Sequence, residues 1–307
     1  MIVHHGYTSF EDLLSTYRKK SQDLVSVIVI NFNYGKYLEE AIQSALDQTY
    51  PNLEVIVVDN GSTDKSSQVL GIFGDAIKAI HLTTNLGQAL ARNIGVEHAR
   101  GKFLCFLDAD DYWEKGKVAE QVKIVCSKNQ LVYCGAREFG IVQSKHLKPK
   151  YAGDCSRFFL NPVMEAVVLC GESTALMTRH LYDQVGGFRK EMNRASGWDF
   201  FRRCALFTGF TYTEEALTNY RRHPLSASTY FFEGMIDRQR AYKATMSESV
   251  GMSRPRKTIL LFNFFRICLK AILFHFLSLI LRKGNDTTRN DINLRTFLSR
   301  SVKIWTQ

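Results

Sequence analysis

Proline is scarce, at five in 307 residues, and glycine stops at twenty, so collagen-like and linker-dominated chains are excluded. The seven cysteines form no C-x-x-C pair and are odd in number. Most sit in apolar runs, such as Cys105 in KFLCFLDAD and Cys170 in AVVLCGE. A disulfide framework or zinc knuckle does not fit that pattern, and a reducing compartment does. The first twenty residues lack an apolar h-region and a small-residue cleavage site, so no signal peptide is expected and the protein is read as cytoplasmic. No G-x-G-x-x-G follows the first apolar run, where Asn31-Phe32-Asn33-Tyr34-Gly35 stands instead. This removes the main mark of a dinucleotide oxidoreductase. The Gly-rich basic loop of a sugar nucleotidyltransferase is absent there too. Apolar residues at 45% and charged residues at 23% are ordinary for a folded chain, whose length suggests roughly two domains at ~150 residues each.

Acid is missing altogether from residues 254–283, RPRKTILLFNFFRICLKAILFHFLSLILRK, which supply seven of the ten net positive charges. The remainder of the chain is unremarkable in charge. Nucleic acid is disfavoured, because these cations flank an apolar helical pattern and no groove-reading or aromatic motif. Ile259 to Leu281 is long enough to span a bilayer, but Asn263, Arg266, Lys270, His275 and Ser278 interrupt it. At ~100° per residue these fall on roughly one half of the wheel, with Leu, Ile and Phe on the other. Two mid-segment cations would each cost about 2.5–3.5 kcal/mol at a bilayer centre. An amphipathic helix lying in the surface, at about 256–283, avoids that cost and uses the cations on anionic headgroups. A true span, and packing on its own domain or in a homodimer, are the alternatives.

From residue 25, apolar runs alternate with helical spacing. VSVIVI (25–30), LEVIVVD (53–59), IKAIHL (77–82), KFLCFL (102–107) and LVYCG (131–135) read as strands. Helices are expected over 37–48, 64–73, 88–98 and 114–127. The predicted fold class is α/β, a mostly parallel Rossmann-like sheet flanked by helices, with a C-terminal helical extension. The expected organisation is an N-terminal extension (1–24), one domain (25–230) and a helical region (231–307). After residue 135 the pattern loosens, with helices near 179–186, 197–208 and 233–249 and short strands over 211–220.

In such sheets ligands bind at the carboxyl ends of the strands. The second strand ends in Asp59-Asn60-Gly61-Ser62-Thr63-Asp64. Gly61 to Asp64 read as a turn plus cap. Asp59, a carboxylate at the end of a buried strand, reads as a group that accepts hydrogen bonds from a base or ribose. The fourth strand ends in Leu107-Asp108-Ala109-Asp110-Asp111. Three carboxylates within four residues repel one another, and a divalent cation with oxygen ligands, Mn²⁺ or Mg²⁺ completed by substrate phosphates, offsets that. The bland alternative is an acidic helix start.

VSVIVINFNYGKYLEEAIQSALDQTYPNLEVIVVDNGSTD, followed by NLGQALARNIGVEHARGKFLCFLDADDYW, resembles the family 2 glycosyltransferases with the GT-A fold, over about residues 25–230. The resemblance implies inverting transfer of a sugar from a nucleotide sugar to a hydroxyl of a glycan acceptor, in surface polysaccharide synthesis, and the basic C-terminal helix points to a lipid-linked glycan at the inner membrane surface. It places Asn31 and Asn33 near the nucleotide, with Asp59-Asn60 as the base-contacting pair. Uridine is the first expectation, but Asn60 stands where an acid often contacts the base, so thymidine or another base remains open. Asp108 would face ribose, while Asp110, with Asp111, would hold the metal on the diphosphate. Asn85, Gly87 and Arg92 would line the donor pocket, although Arg92 could instead be an exposed helix cation. Tyr220-Arg221-Arg222-His223 matches a late motif in which His223 completes the metal site and Arg222 offsets phosphate charge. The usual catalytic base position is Gly197 here. Either Asp199 takes the role, or Glu191 approaches from the loop, or the base is displaced. Asp199 also has a structural alternative, an ion pair with Arg202 or Arg203. The rival function is a degenerate transferase acting as a membrane-associated scaffold.

Overall fold

The computed structural model describes residues 23–149 apart from 126, 128 and 129, then 152–153, 171–224 apart from 193, 231–248, and positions 269 and 300. The basic segment expected to lie on a membrane falls outside the described residues save for position 269. Among the described residues no helix is long and apolar enough to cross a membrane.

The apolar runs become strands because both their faces are covered. β1 (Val25–Asn31) is buried along its whole length. Its alternate residues serve two cores: Val25, Val27 and Val29 pack on one face of the sheet, Ile28 and Ile30 on the other. The first core is closed by α1 (Gly35–Leu46), whose Leu38, Ala41, Ile42 and Ala45 recur at helical spacing on one buried face. β2 (Leu53–Asp59), α2 (Ser66–Phe73), β3 (Lys78–His81), α3 (Gln88–Glu97) and β4 (Phe103–Asp108) complete a parallel set ordered β3-β2-β1-β4.

Beyond β4 the sheet turns mixed. β5 (Tyr112–Trp113) and α4 (Lys117–Ile124) lead to β6 (Leu131–Gly140), which forms a hairpin with β7 (Lys145–Leu147). A short 3-10 turn (Glu172–Thr174) then feeds β8 (Ala175–Thr178), which inserts antiparallel between β4 and β6. α5 (Arg179–Val185) and α6 (Ser196–Cys204) cover the second core. β9 (Phe210–Arg222) runs parallel to β6 and antiparallel to β5. The expected short strands over 211–220 are thus one long strand. α7 (Phe231–Glu248), assigned by sequence to the C-terminal region, is tied to the same body: Asp237 accepts from the Arg194 N–H at 2.6 Å, and the Ala241 carbonyl accepts from Arg202 at 3.4 Å.

β1 sits between β2 on one side and β4 on the other, with Asn31 level with Asp59 and Ile30 level with Asp108. Their connections leave in opposite directions, so a crevice opens at the carboxyl ends of these three strands.

The opposite, amino end is fastened by Glu54. Its carboxylate accepts from Ser26 Oγ at 2.6 Å, from the Arg100 N–H at 2.6 Å and from Arg100 Nε at 3.1 Å. Burial alone would raise the Glu54 carboxyl, but these hydrogen bonds and the guanidinium charge hold it below its ordinary 4.5. Its contribution is therefore complete above pH 4.5 and is lost as pH falls through the lowered value. Glu54→Gln should cost about 1–2 kcal/mol in urea unfolding at pH 7, and the difference from wild type should shrink in acid.

Candidate active site

The crevice is built from loops that lock one another. Asn33 takes a left-handed backbone (φ 58°). Its Oδ1 accepts from the Thr63 N–H at 2.8 Å, and its own N–H donates to Ser62 Oγ at 2.9 Å. Asn31 Nδ2 donates to Asp59 Oδ1 at 3.0 Å and to Ser62 Oγ at 3.1 Å. Asp64 accepts from the N–H of Gly35 at 2.9 Å and of Ser66 at 3.0 Å, and so steadies the starts of both α1 and α2. Gly61 (φ 78°) could not carry a side chain, since a Cβ there would lie 2.5 Å from the Thr84 backbone. Asn60 Oδ1 accepts from the Leu86 N–H at 2.9 Å, and its Nδ2 donates to Asn85 Oδ1 at 2.9 Å. Asn85 Oδ1 in turn accepts from the N–H of Gly87, the residue that opens α3. Asn60 and Asn85 line the crevice. Asn31 and Asn33 hold its walls from behind.

The acidic tip hangs between β4 and β9. The β5–β9 pairing draws the end of β9 against it, so that His223 Nε2 lies 2.9 Å from Asp110 Oδ2. The imidazole is buried between Tyr34 and Tyr37, with ring centroids 5.2 and 5.3 Å away. Arg221 Nε donates to the Asp110 carbonyl at 2.9 Å, and its guanidinium stacks on Tyr37 and Phe139 and pairs with Glu40. Asp108, Asp110 and Asp111 each offer an oxygen within 4.8 Å of the others. Burial raises the Asp108 carboxyl to about 6, with Arg92 pulling it back and Glu172 and Asp110 adding to the rise.

Three sequence expectations change here. Asp111, expected to share the metal, stays within the acidic cluster and is buried. Its two oxygens already accept from Ser173 Oγ at 2.7 Å and from the Arg221 N–H at 3.0 Å, so it braces the tip. Burial pushes its carboxyl well above the ordinary range, and Asp110 and Asp108 add to that. Arg92 neither lines the donor pocket nor points to solvent. It is fully buried, with Nη2 donating to Asp108 Oδ1 at 2.7 Å, Nη1 to Ser196 Oγ at 3.1 Å, and Glu172 Oε1 3.4 Å from Nη1. Arg222 is engaged by Glu138 of β6 and stacks on Tyr220. Asp199, expected as the base, is fully buried among three guanidiniums. Oδ1 accepts from Arg189 at 3.0 Å and from Arg202 at 3.3 Å, and Oδ2 from Arg203 Nε at 2.9 Å. A carboxylate so held has no face toward an acceptor. Glu191 lies exposed in the turn after Gly187.

Sequence reasoning passed over Phe32, Tyr34, Gln88, Arg194 and Tyr220, all of which line the crevice. Phe32 keeps 38% of its surface exposed there. Two signals were available: Phe32 stands between Asn31 and Asn33 directly after a strand, and Tyr220 opens the late motif.

A parallel sheet whose switch-point crevice ends in a short acidic turn is the architecture of GT-A-type glycosyltransferases. The family model for Glycosyl transferase family 2 matches residues 26–206, and the chain belongs to that family. A putative teichuronic acid biosynthesis glycosyltransferase, TuaG of Bacillus subtilis, is 38% identical over 109 residues, 34% of this chain and 43% of that one. Among solved structures, S. aureus TarS 1–349 with UDP-GlcNAc superposes with a TM-score of 0.65 at 18% identity, covering 92% of this chain and 81% of that one. The mannosyltransferase PcManGT of Pyrobaculum calidifontis, solved with GDP-Man and Mn²⁺, gives 0.58 at 19% identity, covering 95% and 92%. The chain spans 43–64% of the length of several curated relatives that it matches.

Proposed function

We propose that the protein transfers a sugar, with inversion, from a nucleoside diphosphate sugar to a hydroxyl of a glycan or lipid-linked glycan. The observation that carries this reading is the meeting of Asp110 and His223, 2.9 Å apart, beside Asp108 at the mouth of the β1–β4 crevice. Carboxylate oxygens with one imidazole are a donor set suited to Mn²⁺ or Mg²⁺, and Asp108, Asp110 and His223 would hold the ion. When bound, the ion supplies charge that stabilises the departing diphosphate. Phe32, half open on the crevice wall, offers a stacking surface to the base, with Asn60 and Asn85 among the polar residues of the same lining and Asp59 buried behind Asn31. Uridine is the first candidate and thymidine the second. Arg194 also lines the crevice, and its guanidinium would meet phosphate oxygens there. The loop locks around Asn33 and Asn60 keep these groups aligned before the donor arrives, which is worth several kcal/mol of barrier.

TarS bound to UDP-GlcNAc and PcManGT bound to GDP-Man and Mn²⁺ support the donor class and the ion. The name of TuaG supports polysaccharide synthesis. The basic amphipathic pattern of 254–283 supports an acceptor met at the cytoplasmic membrane surface.

A panel of UDP-, dTDP- and GDP-sugars tests the proposal. One donor should raise the melting temperature in Mn²⁺ and not in EDTA, and should release its nucleoside diphosphate when lipid-linked glycan is added. A melting temperature unmoved by every donor would instead favour the scaffold.

A further inference from the structure

We infer that Glu172 is the carboxylate that takes the acceptor's proton, an assignment that rests on the transferase reading. Displacement at the anomeric carbon needs such a group. As the acceptor oxygen bonds to that carbon, the bond to the diphosphate breaks and the leaving group keeps the electron pair. The hydroxyl proton must pass to a base.

The acids around the crevice narrow quickly. Asp59 accepts from Asn31 at the nucleotide end. Asp110 is paired with His223, and Asp111 has both oxygens engaged. Asp108 is bound by Arg92 at 2.7 Å. Asp199 is enclosed by three arginines. Glu172 differs from all of these. It stands on the 3-10 turn before β8 and meets Nη1 of the Arg92 guanidinium, whose Nη2 meets Asp108. Its contact with Arg92, at 3.4 Å, is looser than the 2.7 Å of Asp108, and its side chain keeps 18% of its surface open, against 28% for Asp108, so the loose contact and not the exposure sets it apart. Arg92 fixes its position without closing it off.

Gly197 is the second observation. A Cβ at that position, one residue into α6, would lie 1.8 Å from Glu172 Oε1, 2.3 Å from its Cδ and 2.8 Å from its Cγ. Glycine weakens a helix wherever it stands inside one. Here it leaves the space that the Glu172 carboxylate fills. The turn behind is set by Gly171 (φ 98°), whose carbonyl accepts from the Thr174 N–H at 3.3 Å and Oγ1 at 2.9 Å. The same geometry means that an aspartate at 197 would deliver its carboxylate into the space Glu172 vacates.

Three variants test this: Glu172→Gln, Glu172→Ala, and Glu172→Ala combined with Gly197→Asp. Each is assayed with the donor chosen from the panel, in Mn²⁺, for turnover and for donor Kd. Glu172→Gln should lose about 10²–10⁴-fold in kcat with donor Kd within about twofold. The double variant should recover at least tenfold over Glu172→Ala. A Glu172→Gln enzyme that keeps its kcat overturns the assignment and leaves the transferase reading standing. So does a variant whose donor affinity and melting temperature fall together with no recovery in the double variant, since that marks a mere partner for Arg92. A wild type that binds and turns over no donor sinks the transferase reading, and this assignment with it.

Discussion

Asp199→Asn should unfold in denaturant with a stability loss of about 3–5 kcal/mol, the cost of breaking a buried ion pair from one side. The carboxylate joins Arg189 from the Gly-Gly turn to Arg202 and Arg203 on its own helix. Arg203 goes on to donate to the Val185 and Gly187 carbonyls at 2.8 and 2.6 Å, and Arg202 to the Ala241 carbonyl. One carboxylate therefore holds α5, α6 and α7 together. An amide in its place presents a donor to a guanidinium and cancels the charge that draws the three cations in. For a domain of this size about 2–4 °C of melting temperature goes with each kcal/mol, so a fall of about 10 °C is expected. Donor Kd, measured well below that transition, should not change. A catalytic-base role would give the opposite pattern, with an unshifted melting temperature and a turnover lower by orders of magnitude.

Asp110→Ala should leave the fold in place and remove activity, by about 10³-fold, or about 4 kcal/mol of transition-state stabilisation. Asp110 is only partly buried, and its side-chain partner His223 keeps its seat between Tyr34 and Tyr37 without it. Stability should therefore move little. The loss should appear in kcat and in Mn²⁺ affinity together, and excess Mn²⁺ should not restore it fully. His223→Ala should cost less, about 10–100-fold, since it removes one donor and the group that orients Asp110.

The parallel half of the fold was legible because β1, β2 and β4 are buried on both faces and so appear as unbroken apolar runs. Carboxylates directly after such runs, Asp59 and Asp108, were legible for the same reason. The mixed half was not. β8 has four residues, and its neighbours β4 and β6 are fixed by pairing across tens of residues that leaves no local pattern. The long β9 shows why the site assembles: it carries His223 to Asp110, 113 positions away in sequence. Arg92 was misjudged because a helical cation gives no sign of partners at 108, 172 and 196. For Asp199 the arginines three and four residues on were a visible warning, and Arg189 could be seen only in space. Glu172 sits in an irregular stretch with no motif. Its one trace in the sequence is a glycine inside a helix at 197, which by itself is ambiguous.

The decisive measurement is Mn²⁺ capture followed by electron paramagnetic resonance, which reads free Mn²⁺ directly. With protein alone the ion should remain largely free. Adding UDP should draw it into a ternary complex with wild type and not with Asp110→Ala. Equal capture by the two proteins, or UDP binding that proceeds unchanged in EDTA, would contradict a cation held between the β4 acidic turn and the donor's pyrophosphate.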